Sequence, residues 1–222
     1  MKCPQRLQNL IAWMPQDSVL IDVGCDHGYL GIYALQQQKV SRVVAIDRNQ
    51  KPLELARKHV QEAGFEEKME CICADGLHHV EIPESAVLVC AGMGGILIHD
   101  IIQKASINKL QGIIIQANRD AHVVRNYLAS QGWGVVQSSV FATAKKDFLS
   151  WISLPQQGYI QETSWHWQDP YLIENPTREW KNMLLKRHMH IQRVQKRNEG
   201  ISTSLLQEER QLRHHTFKES CR

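Results

Sequence analysis

The sequence predicts an α/β fold, a single sheet-and-helix domain followed by a short, basic helical appendage. Three observations predict it. Up to Pro155, short apolar runs alternate with amphipathic stretches, the pattern of strands joined by helices. The early runs are continuously apolar and rich in Val and Ile, as strands buried on both faces of a parallel sheet are. Beyond Pro155 the composition turns polar, and apolar residues then recur only at helical spacing.

Leu7, Leu10, Ile11 and Met14 give residues 4–14 the apolar face of a helix. A strand over 18–23 ends at Gly24, and a helix follows over 30–38. The next pair is a strand over 41–47 and a helix over 51–63. Pro52 sits in the first turn of that helix, where its missing N–H costs nothing, and Gly64 stops it. Strands are expected over 69–74, 86–91 and 112–116, with helices over 95–104 and 119–130. Strands 133–141 and 148–154 follow one another without a helix, so the turn at Lys145-Lys146 makes an antiparallel hairpin that closes the sheet. Crossovers between the parallel strands should be right-handed.

Residues 156–169 are polar and carry Trp165 and Trp167. Asn175-Pro176 reads as a helix start with Asn175 as cap. Trp180, Met183, Leu184, Ile191 and Val194 carry this helix to about Asn198, and Gly200 interrupts it. Leu205, Leu206 and Leu212 mark a second helix, giving an antiparallel helical hairpin. The expected division is 1–157 for the sheet domain and 158–222 for linker and basic hairpin.

Apolar residues are 43% of the 222, enough for a packed core. No apolar run approaches the ~20 residues of a membrane span. Met1-Lys2-Cys3-Pro4-Gln5-Arg6 lacks the apolar core and cleavage site of a secretory signal. A cytoplasmic location without a membrane partner is expected. Cys3, Cys25, Cys71, Cys73, Cys90 and Cys221 form no C-x-x-C pair. The four in or beside strand-like runs read as buried, reduced thiols. His78-His79 and His214-His215 lack partners at ligand spacing and read as surface residues, so no metal is expected. The net charge of +3 is uneven: residues 178–222 hold 11 Lys and Arg against 5 Asp and Glu, an excess of +6. A basic tail on a mildly acidic body points to an anionic partner.

The strongest chemical signal is Asp22-Val23-Gly24-Cys25-Asp26-His27-Gly28-Tyr29-Leu30, where the first strand turns into the next helix. Such a turn offers backbone N–H groups and a helix N-terminus to a ligand. Gly24 allows a tight turn, and Gly28 allows close approach of the helix to ligand or sheet. The Gly-x-x-x-Gly spacing differs from the Gly-x-Gly-x-x-Gly of a dinucleotide site. A carboxylate at Asp26 would repel a pyrophosphate, whereas it suits a cofactor bearing an ammonium, such as S-adenosylmethionine. Asp47 ends the second strand 23 residues after Gly24, where an acid reads ribose hydroxyls. Asp75-Gly76 ends the third strand. Three acids at successive strand ends converge on the crevice where open α/β sheets bind ligands. Ala91-Gly92-Met93-Gly94-Gly95 follows the fourth strand, and its three glycines leave room for a flat base or the methyl donor. Gln116-Ala117-Asn118-Arg119 brings polar groups to the rim, with a simple helix cap at Asn118 as the alternative.

A sheet of this kind closed by a hairpin resembles the Rossmann-like class I methyltransferase arrangement, in which an acid at Asp75 contacts the adenine amino group. The Asn/Asp-Pro-Pro-aromatic motif of amino-directed DNA methyltransferases is missing after the fourth strand. Together the motifs resemble the bacterial tRNA (adenine-N1) methyltransferase family TrmK. That family has an Asp-hydrophobic-Gly-x-Asp-His-x-Tyr-Leu motif, an Ala-Gly-Met-Gly-Gly motif, a Gln-Pro-Asn motif and a C-terminal coiled-coil hairpin. The likeness runs from Arg6-Leu7 to Asp169-Pro170-Tyr171-Leu172. The chain departs from it with Gly31 and Ala117 where Pro is expected and with Asp47 for a frequent Glu.

The resemblance implies S-adenosylmethionine-dependent methylation of adenine N1 at position 22 of tRNA. It also implies a class I methyltransferase domain carrying an α-helical coiled-coil hairpin, with a monomer expected. The cofactor-binding candidates are Gly24, Asp26, His27, Gly28, Asp47, Arg48, Asp75, Gly76, Gly92 and Met93. Neutral adenine N1 carries a lone pair, so the reaction needs alignment more than a base. Asp26, Tyr29 and Asn118 are the catalytic candidates. Asp26 would steady the cationic product, and Tyr29 would stack on or orient the base. Lys181, Lys186, Arg187, Arg193, Lys196 and Arg197 are the expected phosphate contacts. Two alternatives stay open: a small-molecule methyltransferase using the hairpin as lid or dimer element, and a non-catalytic binding module.

Overall fold

The computed structural model describes residues 3–196 and 203–217. The expected break at Gly200, the Arg197 contact and Cys221 lie outside these residues. In the chain, β1 (Ser18–Val23), β2 (Val40–Asp47), β3 (Met69–Cys73), β4 (Ala86–Met93) and β5 (Leu110–Ala117) are parallel, and β6 (Trp133–Ala142) and β7 (Asp147–Pro155) form the antiparallel hairpin. They make one seven-stranded sheet of order β3-β2-β1-β4-β5-β7-β6. The order reverses at β1, whose Asp22 lies level with Ala45 of β2 on one side and Val89 of β4 on the other. Loops leaving the carboxyl ends of β1 and β4 therefore diverge and open a crevice.

Each sheet face has its own core, as the side-chain alternation of strands requires. On one face, α1 (Gln5–Ile11), α2 (Tyr29–Gln36) and α3 (Gln50–Ala63) bring Leu10, Ile11, Leu30, Ile32, Leu53 and Val60 against Leu20, Val43, Val87 and Val89. On the other, α4 (Gly95–Ile102) and α5 (Ala121–Ser130) bring Ile98, Ile102, Val124 and Leu128 against Ile21, Ile46, Leu88 and Ile115. The arrangement is a Rossmann-like class I fold.

The C-terminal segment joins the second of these cores. α6 (Pro170–Glu174), α7 (Arg178–Lys196) and α8 (Thr203–Phe217) contribute Leu172, Trp180, Leu184, Ile191 and Leu212, which cluster with Trp133, Val135 and Trp151. The linker is fastened through Arg125 of α5, a buried guanidinium. It donates to the carbonyls of Trp165 (3.1 Å) and His166 (2.8 Å), and its Nη1 lies 3.5 Å from Asp169 Oδ2. Asp169 also accepts from Ser138 Oγ and from the Leu172 N–H, each at 3.0 Å, so the same acid caps α6. That short helix was not expected from periodicity, because Asp169-Pro170 starts it and it spans one turn.

Several boundaries differ for identifiable reasons. Thr177, not Asn175, caps α7: its Oγ1 accepts from the Trp180 N–H at 3.2 Å, while Asn175 ends α6. Asn118 does not cap α5, which begins at Ala121 after Asp120 in the left-handed region. Cys73 is exposed and Cys71 half-buried, because β3 is an edge strand; Cys3, Cys25 and Cys90 are buried, and these described cysteines are free. His215 packs on Trp167, with ring centroids 5.9 Å apart, rather than standing in solvent. Two of the expected phosphate contacts already have acidic partners: Lys186 Nζ is 2.8 Å from Asp147, and Arg187 donates twice to Glu208 at 2.8 and 2.7 Å. Among the described residues no helix is long and apolar enough to cross a membrane.

Candidate functional site

A cleft of about 440 Å³ opens at the carboxyl ends of the first four strands. Its floor is the β1–α2 turn. Gly24 adopts φ +74°, and the N–H groups of Gly24 and Cys25 both donate to the Ile46 carbonyl, at 2.8 and 3.0 Å. This folds the turn back onto β2. Asp26 follows at φ +52°, a left-handed conformation uncommon outside glycine. Its N–H donates to Asp47 Oδ2 at 3.2 Å. The other oxygen of Asp47 accepts from the Asn49 N–H at 2.9 Å and from Asn49 Nδ2 at 3.3 Å. The Asp47 carboxylate is thus held by its own loop, with Oδ1 taken up by Asn49 and Oδ2 retaining accepting capacity.

Gly24, Asp26, Tyr29, Asp47, Arg48, Asp75, Gly76, Gly92 and Met93 all line the cleft; His27, Gly28 and Asn118 do not. Gly28 serves packing: a Cβ there would lie 3.1 Å from Met69 Cε and 3.3 Å from Ala56 Cβ, so the glycine lets α2 sit against α3 and β3. The His27 ring is 5.7 Å from Tyr29 and 6.4 Å from His59, and its Nε2 is 3.5 Å from Asp26 Oδ1. Tyr29 stacks on His59 with centroids 5.4 Å apart.

The Gly-rich segment after β4 divides its labour. Gly92 faces the cleft at φ +82°. Gly95 does not: a Cβ there would overlap the Asp120 carbonyl, and its N–H donates to the Arg119 carbonyl at 2.8 Å. The expectation that all three glycines open the cleft is therefore corrected; one opens it and another seats α4. Asn118 braces this segment. Its Nδ2 donates to the Gly92 carbonyl, its backbone N–H donates to the Met93 carbonyl at 2.7 Å, and its Oδ1 accepts from Lys146 Nζ at 2.7 Å.

Two lining residues escaped the sequence reading as candidates. Asp22 is a carboxyl buried in an otherwise apolar strand, and burial, then Asp47 and Asp26, push its pKa up to about 7. The signal was present, since an acid inside a fully buried parallel strand needs a reason. Arg6 of α1 donates to Gln116 Oε1 at 2.6 Å and lies over the Phe148 ring, 5.4 Å from its centroid. Burial lowers its pKa, against the charges of Cys3 and Asp26. An arginine on an amphipathic helix reads as solvated until the fold turns it inward.

The cleft is acidic, with Asp22, Asp26, Asp47 and Asp75 facing Arg6 and Arg48. Such a lining suits a polyhydroxylic ligand with a cationic end. Among the described residues no group of His, Cys, Asp and Glu is placed to hold a metal.

Comparison with known proteins agrees with this fold. A tRNA (adenine(22)-N(1))-methyltransferase of Bacillus subtilis is 30% identical over 143 residues, 63% of this chain, and the match spans 60% of that relative's length. A Streptococcus pneumoniae structure described as a putative tRNA (m1A22) methyltransferase superposes with a TM-score of 0.86 at 22% identity, covering 97% of this chain and 100% of that one. An M. capricolum TrmK structure in complex with S-adenosyl-homocysteine superposes with a TM-score of 0.78 at 20% identity, covering 97% of this chain and 96% of that one. Residues 3–149 match the family model described as a methyltransferase domain, and the chain belongs to that family.

Proposed function

We propose that this chain is an S-adenosylmethionine-dependent tRNA (adenine-N1) methyltransferase of the TrmK family, acting at adenine 22. The observation that carries the reading is the meeting of Asp26, Asp47, Asp75 and Gly92 in one cleft. The named relatives, one acting on tRNA and one holding S-adenosyl-homocysteine, support the substrate and the cofactor.

The donor set fits the cofactor. Asp47, oriented by Asn49 and by the Asp26 N–H, offers accepting lone pairs to ribose hydroxyls. Asp75, with Gly76 and Arg48 beside it, takes the adenine end. Asp22 and Asp26 meet the ammonium, with His27 and Gly28 shaping the turn. Gly92 and Met93 leave the opening through which the target base approaches. Bound S-adenosylmethionine supplies an electrophilic methyl group. Asp26, whose side chain is 67% exposed, steadies the positive charge that appears on the methylated adenine, and Tyr29 orients the base. Asn118 acts by holding the Gly92 carbonyl, a positioning role.

In this reading residues 1–157 form the catalytic domain, and 158–222 form the linker and a coiled-coil hairpin that holds tRNA phosphates. The enzyme works as a monomer in the cytoplasm. Incubation with labelled cofactor and bulk tRNA, followed by nucleoside mass spectrometry, should yield 1-methyladenosine. Exclusive N6-methyladenosine refutes the chemistry, and labelling of metabolites with none in tRNA favours a small-molecule enzyme.

A further inference from the structure

We propose that Arg6 is an anion receptor in the cleft wall, and that its ligand is the α-carboxylate of the cofactor's methionine portion. The inference rests on the S-adenosylmethionine reading above and assigns a residue to a part of the ligand that the acidic cluster cannot hold.

Arg6 is half-buried and lines the cleft, yet among the described residues no carboxylate lies within ion-pair distance of it. Its hydrogen-bond acceptor is a neutral amide, Gln116 Oε1, and its flat face is covered by Phe148. A guanidinium carries five N–H donors, so most remain to be used. Withdrawing a charge from water without an opposite charge is costly, and the cost is recovered when an anion arrives.

The arm is also held in place. Gln116 is fully buried, and its Nε2 has no partner, so its polar contact is the one that fixes Arg6. With Phe148 across the guanidinium plane, Arg6 is oriented before any ligand binds, which lowers the cost of ordering it.

Position selects the anion. The acids of the β1 turn draw the ammonium of an amino-acid zwitterion, and its carboxylate hangs from the same carbon. Arg6 lies near enough for the charge of Asp26 to raise its pKa. Its Nη atoms come within 3.8 Å of a Cβ built on Gly92, so Arg6 borders the opening as well as the acids. A nucleic-acid phosphate would reach exposed cations such as Arg119 first, since that side chain is 81% exposed at the rim.

The test compares ligands that differ in the carboxylate. Calorimetry on the full chain should show Arg6→Gln weakening S-adenosylmethionine and S-adenosylhomocysteine by about tenfold to a hundredfold, the usual range for a charged hydrogen bond. Decarboxylated S-adenosylmethionine should bind wild type and variant within about twofold of one another. Arg6→Lys, which keeps the charge and tests against loss of folding, should fall between. Equal weakening of all three ligands, or none, overturns the assignment, as does lost tRNA affinity with cofactor affinity intact. If the wild-type protein binds none of the three, the cofactor reading itself falls and takes this one with it.

Discussion

The backbone N–H of Asp26 donates to Oδ2 of Asp47 across 3.2 Å, so the acid that ends β2 holds the acid of the β1 turn in place. The two residues are 21 positions apart in sequence, and the crossover through α2 brings them together. A substitution at Asp47 therefore acts twice, on a ligand contact and on the shape of the turn.

Asp47→Ala should weaken S-adenosylmethionine binding by about 1.5–3 kcal/mol for the missing charged hydrogen bond, and by more through loosening of the turn. Asp47→Asn keeps an oxygen for the Asp26 N–H and should lose less. Calorimetry on both variants checks this; equal losses would mean that the brace contributes nothing to binding.

Asp22 makes stability depend on pH. Its folded pKa of about 7 lies above the ordinary 3.8, because burial disfavours the carboxylate. The folded state therefore binds the extra proton, and this group favours the fold at low pH and penalises it as pH rises from 3.8 through 7. Relative to wild type, Asp22→Asn should gain stability between pH 4 and pH 8, by a few kcal/mol at most. Urea midpoints at both pH values without cofactor read the difference.

His166 works in the opposite direction. Burial, with the nearby charge of Arg125 as the next cause, lowers its pKa to about 4, and its Nδ1 accepts the Ala121 N–H at 3.1 Å, which requires the unprotonated ring atom. Folding excludes the proton that the unfolded chain takes up near 6.5, so stability should fall as pH drops from 6.5 towards 4. His166→Asn supplies an acceptor without a titration. Measured against wild type at each pH, its urea midpoint should shift in the variant's favour from pH 7 to pH 5, because the variant lacks the loss that His166 contributes and keeps the gain from Asp22.

Asp169 and Arg125 form a buried ion pair that also anchors the linker. Asp169→Ala should cost about 3–5 kcal/mol, the usual penalty for stranding a buried charge. Thermal melts read the loss. Cofactor affinity of the folded variant should stay at the wild-type value, since neither residue lines the cleft.

The tail is best tested by charge, because removing it would bare Trp133, Val135 and Trp151, which pack with Trp180 and Leu184. Arg178 and Arg193 are exposed. Arg178→Glu with Arg193→Glu should lower tRNA affinity and make its salt dependence shallower by roughly 0.7–0.9 in slope for each phosphate that is no longer neutralised. Cofactor affinity should not change. An unaltered salt slope removes these residues from the RNA surface.

The sequence by itself determined the sheet and pointed to Asp26, Asp47 and Asp75, though not to Asp22, among the acids that line the cleft. Continuous apolar runs such as Val19-Leu20-Ile21 and Ile113-Ile114-Ile115 are stable only between two layers, and Asp47 and Asp75 stand where such strands end. These are local patterns, and they survive without knowledge of what lies opposite. Tertiary structure decided what each remaining residue faces. It turned Arg6 into the cleft, gave Gly28 to packing against Met69 and Gly95 to the Asp120 carbonyl, and engaged Asn118 with Gly92 and Lys146. It also joined the tail to the core through Trp180 and Arg125. The physical reason is that a side chain's role is set by its neighbours from distant segments. Arg6 and Gln116 are 110 residues apart, and no local periodicity encodes such a pairing.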